Sequence, residues 1–352
     1  MIKRRLSKRI YIGRVAVGGD APISVQSMTK TDTRDVAATA RQINELADIG
    51  CEIIRCAVPD MEAALAIAQI KRAIRIPLVA DIHFDHRLAL AALDSGADAL
   101  RLNPGNISDP QKVASVVQAA KERSAPIRIG VNFGSLPKDL DPTLTLPQKM
   151  AGAALRQIRL LENLDFDLIK VSLKAFDLPT TIQAYREIST QIPYPLHVGI
   201  TESGTARSGL IRSAAGIAIL LWEGLGDTLR VSLTAPPREE VKAGWEILKS
   251  LNLRDRGGKL VSCPTCGRTE VDIQALARAV EERLASLEAP LKVAVMGCVV
   301  NGPGEATDAD VGVACGKGKG VIFSKGRQLR TVDEKDILTE LFKEIDKALK
   351  AN

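Results

Sequence analysis

The strongest constraint on this chain is a repeat: between residues 23 and 248, short β-branched runs alternate with amphipathic stretches whose apolar residues recur every three to four positions. Strand-like runs fall at 23–27, 52–57, 77–81, 99–103, 127–132, 168–173, 196–200 and 228–233. Helical patterns follow most of them, as at 36–49, 61–73, 111–123, 210–221 and 238–248. Eight such units match an α/β fold of the closed (β/α)8 TIM-barrel kind in size and order, whereas a doubly wound sheet usually carries fewer strands. Ahead of the repeat, residues 10–17 with Gly18, Gly19 and Asp20 read as a hairpin placed to plug the bottom of the barrel. A polar stretch containing Gly257 and Gly258 then breaks the pattern. We therefore expect a barrel domain over 1–251, a linker over 252–259 and a small α+β domain over 260–352. The last should hold strands near 259–262, 292–296, 312–315 and 320–324, with helices over 273–287 and 335–349.

Composition narrows what such a chain can do. With 352 residues, 45% of them hydrophobic, it can bury a large core, and 3% aromatics favour helices and buried parallel strands over antiparallel sheet. No apolar run approaches the roughly 18 residues needed to span a bilayer, and the opening MIKRRLSKRIYIG lacks a signal-peptide core, so a soluble cytoplasmic protein is expected. Net charge is +6, much of it in Lys3, Arg4, Arg5, Lys8 and Arg9, an arm that reads as a solvated face. Two Trp and three Tyr are too few for the basic and aromatic interleaving of a nucleic-acid surface, so small anions rather than nucleic acid or membrane are the expected partners. Six cysteines in a cytosolic chain point to metal or redox chemistry before disulfides.

The cysteine spacing sharpens that point. Cys263-Pro-Thr-Cys266 is a Cys-x-x-Cys pair, and Cys298 returns within the run Met296 to Glu305, so three thiols fall in turns marked by glycine and proline. Such turns let several thiolates face one centre while close backbone donates N–H groups to sulfur. An iron–sulfur centre and a structural zinc site closed by Cys315 both satisfy this spacing. A thioredoxin-type dithiol would leave Cys298 unexplained, and no Cys-x-x-x-Cys-x-x-Cys of the radical type occurs. Cys51 and Cys56 flank a barrel strand as small buried hydrophobes, and the run from Gly316 to Gly320 reads as a tight turn.

Barrel enzymes place catalytic groups where strands finish, and polar residues stand at nearly every expected strand end. Arg55 closes the second strand, Asp81 and His83 the third, Arg101 and Asn103 the fourth, and Asn132 the fifth. Ser172 and Lys174 follow on the sixth, His197 with Thr201 and Glu202 on the seventh, and Arg230 and Ser232 on the eighth. Cations converging on one mouth repel each other and lose hydration unless an anion fills the space between them, and arginine forks match phosphate oxygens. A phosphorylated ligand is the natural inference. Glu202 stands out as the acid at the end of strands six to eight and is a candidate proton donor. His86 reads as a capping or surface residue.

Several segments resemble a known family. These are Ser24-Val25-Gln26-Ser27-Met28, the run from Ile54 to Pro59, Arg101-Leu102-Asn103-Pro104-Gly105-Asn106, the motif from Ser262 to Arg268, and the motif from Gly297 to Glu305. Together they look like 4-hydroxy-3-methylbut-2-enyl diphosphate synthases of the two-domain bacterial type, over essentially the whole chain. The resemblance implies conversion of 2-C-methyl-D-erythritol 2,4-cyclodiphosphate to hydroxymethylbutenyl diphosphate in the non-mevalonate route to isoprenoids. It also implies one [4Fe-4S] cluster, two electrons from flavodoxin or ferredoxin, and ligation by Cys263, Cys266, Cys298 and Glu305 in place of the Cys315 closure. A carboxylate oxygen is harder and more exchangeable than a thiolate, which would leave the iron it holds open to a substrate oxygen. Arg55, Arg101, Lys174 and Arg230 would then hold the diphosphate, with His83, Asn103, Asn132 and His197 adding hydrogen bonds and Glu202 protonating the departing hydroxyl.

One further expectation comes from chain geometry. The eighth barrel helix should run back to the bottom, and a linker of about ten residues spans at most roughly 35 Å, leaving little length to carry the second domain around to the mouth. The second domain should therefore cap a neighbour's barrel in a head-to-tail homodimer, as the resemblance also suggests. Two rival readings remain: a zinc-bearing protein whose basic barrel contacts nucleic acid, and a non-redox barrel enzyme acting on a phosphorylated substrate.

Overall fold

A computed structural model of the chain describes residues 2–103, 106, 107, 109–137, 139–285, 287–298 and 307–351. The chain divides into two compact units, Met1–Arg254 and Asp255–Asn352. No helix among the described residues is long and apolar enough to cross a membrane.

In the first unit, a hairpin of β1 (Ile10–Ile12) and β2 (Val15–Val17) precedes eight parallel strands. These are β3 (Ser24–Met28), β4 (Ile53–Ala57), β5 (Leu78–Asp81), β6 (Ala99–Arg101), β7 (Ile127–Asn132), β8 (Ile169–Lys174), β9 (His197–Val198) and β10 (Thr228–Leu229). Their spatial order is β8-β7-β6-β5-β4-β3-β10-β9, and a parallel bridge between Val171 and Leu196 joins the two ends into a ring. Strands expected over 196–200 and 228–233 keep ladder pairing for two residues each. Beyond them the Arg230 N–H still reaches the Val198 carbonyl at 3.0 Å. Gly199 makes this approach feasible, because a Cβ there would stand 2.4 Å from the Arg230 carbonyl oxygen.

Helices α1 (Val36–Asp48), α2 (Met61–Ala73), α3 (His86–Asp94), α4 (Pro110–Glu122), α5 (Leu146–Glu162), α6 (Leu178–Ser189), α7 (Ala206–Trp222) and α8 (Pro237–Ser250) follow β3 to β10 in turn. Five of them start on an aspartate cap: the carboxylates of Asp35, Asp60, Asp85, Asp109 and Asp177 each accept from a backbone N–H of the first turn at 2.8–2.9 Å. Each cap contributes about 1 kcal/mol and fixes where a mouth loop enters its helix. His86, expected as a cap or surface residue, is the first helical residue of α3, and Asp85 is its cap.

The barrel bottom is closed as the hairpin pattern predicts. Ile10, Ile12 and Val17 pack against Ile53, Val79 and Ala99, the lowest inward positions of β4, β5 and β6. The basic arm departs from expectation, because Arg4 and Arg5 are part-buried clamps rather than a solvated face. Arg5 donates to the carbonyls of Ser189, Ile192 and Tyr194, while Arg4 donates to the Ala21 carbonyl and pairs with Asp227 at 3.1 Å. Free carbonyls at the ends of α6 and its following turn need donors, and the arm supplies them.

The second unit is a mixed sheet with strand order β11 (Gly258–Ser262), β12 (Leu291–Met296), β13 (Val311–Gly316), β14 (Lys319–Ser324) and β15 (Arg327–Asp333). The first three run parallel and the last three antiparallel. Helices α9 (Ile273–Ala285) and α10 (Ile337–Ala351) cover one face, burying Val280, Leu284, Leu341 and Ile345 against Val293, Val313 and Ile322. The run from Gly316 to Gly320 is the β13–β14 turn, with Gly318 at φ +67°. Strand β15 was not anticipated; its residues are mostly exposed and polar, so no apolar alternation marks it.

Candidate active site

Side chains alternate along each barrel strand, and here the inward set is polar where barrels commonly stack apolar layers. On β7, Ile127, Ile129 and Val131 join the core under the helices, leaving Arg128, Gly130 and Asn132 toward the lumen. On β8, Ile169, Val171 and Leu173 do the same, leaving Lys170, Ser172 and Lys174. The register sets Arg128 beside Lys170, Gly130 beside Ser172 and Asn132 beside Lys174. Gly130 keeps this space open, since a Cβ there would lie 3.1 Å from Arg101 Nε and 3.3 Å from Ser172 Oγ.

Around the ring, Asp81 is the counter-ion of two arginines, 3.4 Å from Arg55 Nε and 3.3 Å from Arg101 Nη1. Burial works to raise the Asp81 carboxyl, but Arg55 and Arg101 outweigh it and hold it below the usual carboxylate range. Burial pulls the Arg55 guanidinium down to about 10, with Asp81 opposing, so it stays cationic at neutral pH. Arg55 also lies against Met28 Sδ at 2.9 Å. Arg101 Nη1 reaches His83 Nδ1 at 3.3 Å, and the exposed His83 ring also lies 3.9 Å from Asp81 Oδ2.

The other expected residues divide into those facing the lumen and those fixing its walls. Asn103 uses its carbonyl oxygen on the Gly130 N–H at 2.9 Å, locking β6 to β7, and Ser172 Oγ accepts from Arg128 Nη1 at 2.9 Å. Lys174 Nζ lies 3.4 Å from His197 Nε2, and His197 Nδ1 lies 2.7 Å from Thr228 Oγ1. Burial first, then Lys174 and Arg128, depress the His197 imidazolium, so this histidine is neutral; burial and Arg128 act on Lys174 in the same direction. His197 therefore opens β9 deep in the barrel, where the sequence reading had it closing the strand at the mouth. Tyr185 of α6 fixes both strands, its hydroxyl donating to the His197 carbonyl at 2.6 Å and accepting from the Leu173 N–H at 3.1 Å.

Arg230 is held by Glu240, 3.5 Å away and 1% exposed, which also accepts from the Leu233 N–H at 3.0 Å and from Ser27 Oγ at 3.3 Å. Ser232, two residues beyond Arg230, is half-buried. Glu202 follows β9 in an exposed loop with φ +53°, a left-handed backbone that costs a non-glycine residue. Sequence reasoning missed Arg128, Lys170 and Glu240. The first two sit low on their strands, where a search confined to strand ends does not look, and Glu240 comes from the first turn of a helix.

In the second unit, Cys263 directly follows β11 and Cys298 lies just past β12, at the carboxyl ends of parallel strands where α/β sheets bind ligands. The Gly297 N–H donates to Cys263 Sγ at 3.2 Å, the backbone-to-sulfur bond that stabilises a thiolate, and so holds the residue before Cys298 against Cys263. Cys266 is exposed, and the Arg268 backbone N–H and side chain lower its thiol from the ordinary value. Glu305 lies outside the described residues, among which no group of three or more ligating side chains is gathered around a common point. Cys315 is different: it is buried in the hydrophobic core on β13, and burial pushes its thiol up to about 12. Cys51 and Cys56 are buried barrel-core thiols, each pushed up to about 12 by burial.

Comparison with known proteins places these features. The chain is 64% identical over 345 residues to 4-hydroxy-3-methylbut-2-en-1-yl diphosphate synthase (flavodoxin) of Dehalococcoides mccartyi, covering 98% of this chain and 99% of that protein. It is 57% identical to the protein of the same description from Geobacter sulfurreducens, covering 97% and 98%. Among solved structures, dihydropteroate synthase from Stenotrophomonas maltophilia superposes with a TM-score of 0.53 at 15% identity, covering 70% of this chain and 97% of that one. The dihydropteroate synthase of Xanthomonas albilineans gives 0.52 at 14% identity over 70% and 98%. At such identity the likeness speaks to the barrel fold alone. The GcpE TIM-barrel domain matches residues 7–245 and the GcpE protein C-terminal domain matches residues 259–347, so the chain belongs to the GcpE family.

Proposed function

We infer that the chain catalyses reductive ring opening and dehydroxylation of 2-C-methyl-D-erythritol 2,4-cyclodiphosphate to 4-hydroxy-3-methylbut-2-enyl diphosphate, in the cytoplasm. Relatives 64% and 57% identical over nearly the full chain carry that synthase description, with flavodoxin as the named electron carrier. The observation that carries the reading is the lumen itself, where Arg55, Arg101, Arg128, Lys174 and Arg230 crowd around two acids, Asp81 and Glu240. A diphosphate supplies the negative charge that such a ring lacks, and arginine forks bind its oxygens in pairs.

In the reaction one C–O bond to phosphate breaks and opens the ring, one C–OH bond breaks to give water, and two electrons form the new double bond. The barrel binds and orients the diphosphate through these four arginines and the Lys174 amine, with Asn132, Ser232 and His83 as further hydrogen-bonding groups at the rim. Glu202 gives the proton that leaves with the hydroxyl. Cys263, Cys266, Cys298 and Glu305 would hold a [4Fe-4S] cluster, which supplies the electrons, delivered by flavodoxin or ferredoxin. Head-to-tail pairing, with the cluster domain of one copy over the barrel of the other, is supported by exposed Phe84, Phe133 and Phe176 in the loops after β5, β7 and β8. The family match leaves the zinc and nucleic-acid reading and the non-redox reading without support. Anaerobic turnover of the cyclic diphosphate with reduced flavodoxin tests the proposal: the expected product is hydroxymethylbutenyl diphosphate, and an unconsumed substrate with intact, iron-loaded protein overturns it.

A further inference from the structure

The positive charge of the lumen reaches deeper than the strand ends. Lys170 is the lowest inward residue of β8, four positions below Lys174 and 2% exposed, above the hairpin plug that closes the barrel. Its amine has no hydrogen-bond partner among the described residues. The charged and titratable groups facing it are Arg128 from β7, Arg55 from β4, His197 from β9 and Asp227 from the turn before β10. Asp227 is already engaged: it accepts from Arg4 at 3.1 Å, from Ser7 Oγ at 3.0 Å and from the Leu196 N–H at 2.8 Å. Arg128 cannot give up its charge at neutral pH, and its Nε and Nη2 also lack partners among the described residues. An ammonium at Lys170 would thus be dry, without an acceptor and beside fixed positive charge, so burial first and then Arg128 and Arg55 hold the amine well below an ordinary lysine. A dianion bound among the lumen arginines would add negative charge near that amine and favour its protonated form.

We propose that Lys170 is a further residue of the anion site, uncharged before the anion enters and taking a proton from solvent as it binds, so that capture of the diphosphate is coupled to proton uptake. The proposal rests on the phosphate-site reading of the lumen. The step adds one proton from water or buffer to the amine nitrogen; no bond to the ligand forms and no electron moves. Its linkage sign is fixed: a site that gains protons on binding loses affinity as pH rises.

The test is titration calorimetry of the full chain, purified anaerobically, with inorganic sulfate, which stays a dianion throughout and brings no proton of its own. In Tris and in HEPES at pH 8 the heats should differ by an amount equal to uptake of about one proton per site, and affinity should fall by up to about tenfold per pH unit between pH 7 and 9. Lys170→Met should bind sulfate more weakly and lose that uptake, while melting no lower than the parent chain, because it removes a polar group without a partner. Sulfate binding with equal heats in both buffers overturns the proposal, as does undiminished uptake by Lys170→Met. Should that variant not fold, Lys170→Gln takes its place, with the same loss of uptake expected and undiminished uptake again overturning the proposal. If neither sulfate nor inorganic diphosphate binds, the phosphate-site reading itself falls; binding without uptake removes only the proton coupling.

Discussion

Replacing Asp81 with asparagine takes a negative charge from between two arginines while leaving the side chain's shape. Asp81, Arg101 and Arg55 have side chains 5%, 9% and 12% exposed, and the two contacts measure 3.3 and 3.4 Å. At an effective dielectric of about 20, each contact amounts to roughly 5 kcal/mol of gross attraction, most of it offset by the desolvation of the groups themselves. The cost that remains when a buried charge loses its partner is about 3–5 kcal/mol. For a unit of this size that corresponds to a fall in Tm of roughly 6–20 °C. The same change leaves the lumen with more uncompensated positive charge, so inorganic diphosphate should raise the Tm of Asp81→Asn by more than it raises that of the parent chain. Asp81 has its folded pKa held below its unfolded one, so its contribution is complete above the ordinary carboxylate range and is lost as pH falls through the lower folded value. The gap between variant and parent should accordingly be full at pH 7 and close on acidification below about pH 4. Calorimetric melts at both pH values, with and without diphosphate, measure all of this. An Asp81→Asn variant that melts with the parent at pH 7, or that responds to diphosphate no more strongly, would refute the counter-ion argument.

Tyr185→Phe leaves the Leu173 N–H and the His197 carbonyl without their buried partner and should cost about 1–3 kcal/mol, read as a lower urea midpoint with an unchanged m-value. Mixing an Arg101→Met chain with a Cys298→Ser chain should restore turnover if each site is built from one copy's barrel and the other's cluster domain; two inactive partners that stay inactive after exchange contradict the head-to-tail pairing. Glu305→Cys should retain iron yet lose most turnover, since a fourth thiolate gives up its position less readily than a carboxylate; undiminished turnover sinks that assignment.

The barrel was legible because each strand buries one apolar face under the helices, as Ile127, Ile129 and Val131 do, and that period survives whatever the other face carries. The other face was legible only at its upper end. Arg128-Ile-Gly-Val-Asn132 and Lys170-Val-Ser-Leu-Lys174 each set polar or glycine residues at every second position inside an apolar run, a pattern that states directly that on these two strands the polar lining continues well below the strand ends. A rule that looks only at strand ends passes over it. Glu240 was hidden for a different reason: an acid in the first turn of a helix usually answers the helix dipole at the surface, and only the closed ring brings it against Arg230. The short ladders of β9 and β10 likewise depend on how closely Gly199 lets two backbones approach, which is a property of the pair rather than of either segment. The arm of Arg4 and Arg5 looked solvated because the acceptors of Arg5 are carbonyls nearly two hundred residues away and the counter-ion of Arg4 is Asp227, farther still along the chain.

Iron and acid-labile sulfide, determined per chain on anaerobically purified protein, test the account at its centre. About four of each, with a brown visible absorption that bleaches on reduction, is the predicted result. Protein that carries zinc or no metal, and no sulfide, when prepared under the same conditions contradicts it.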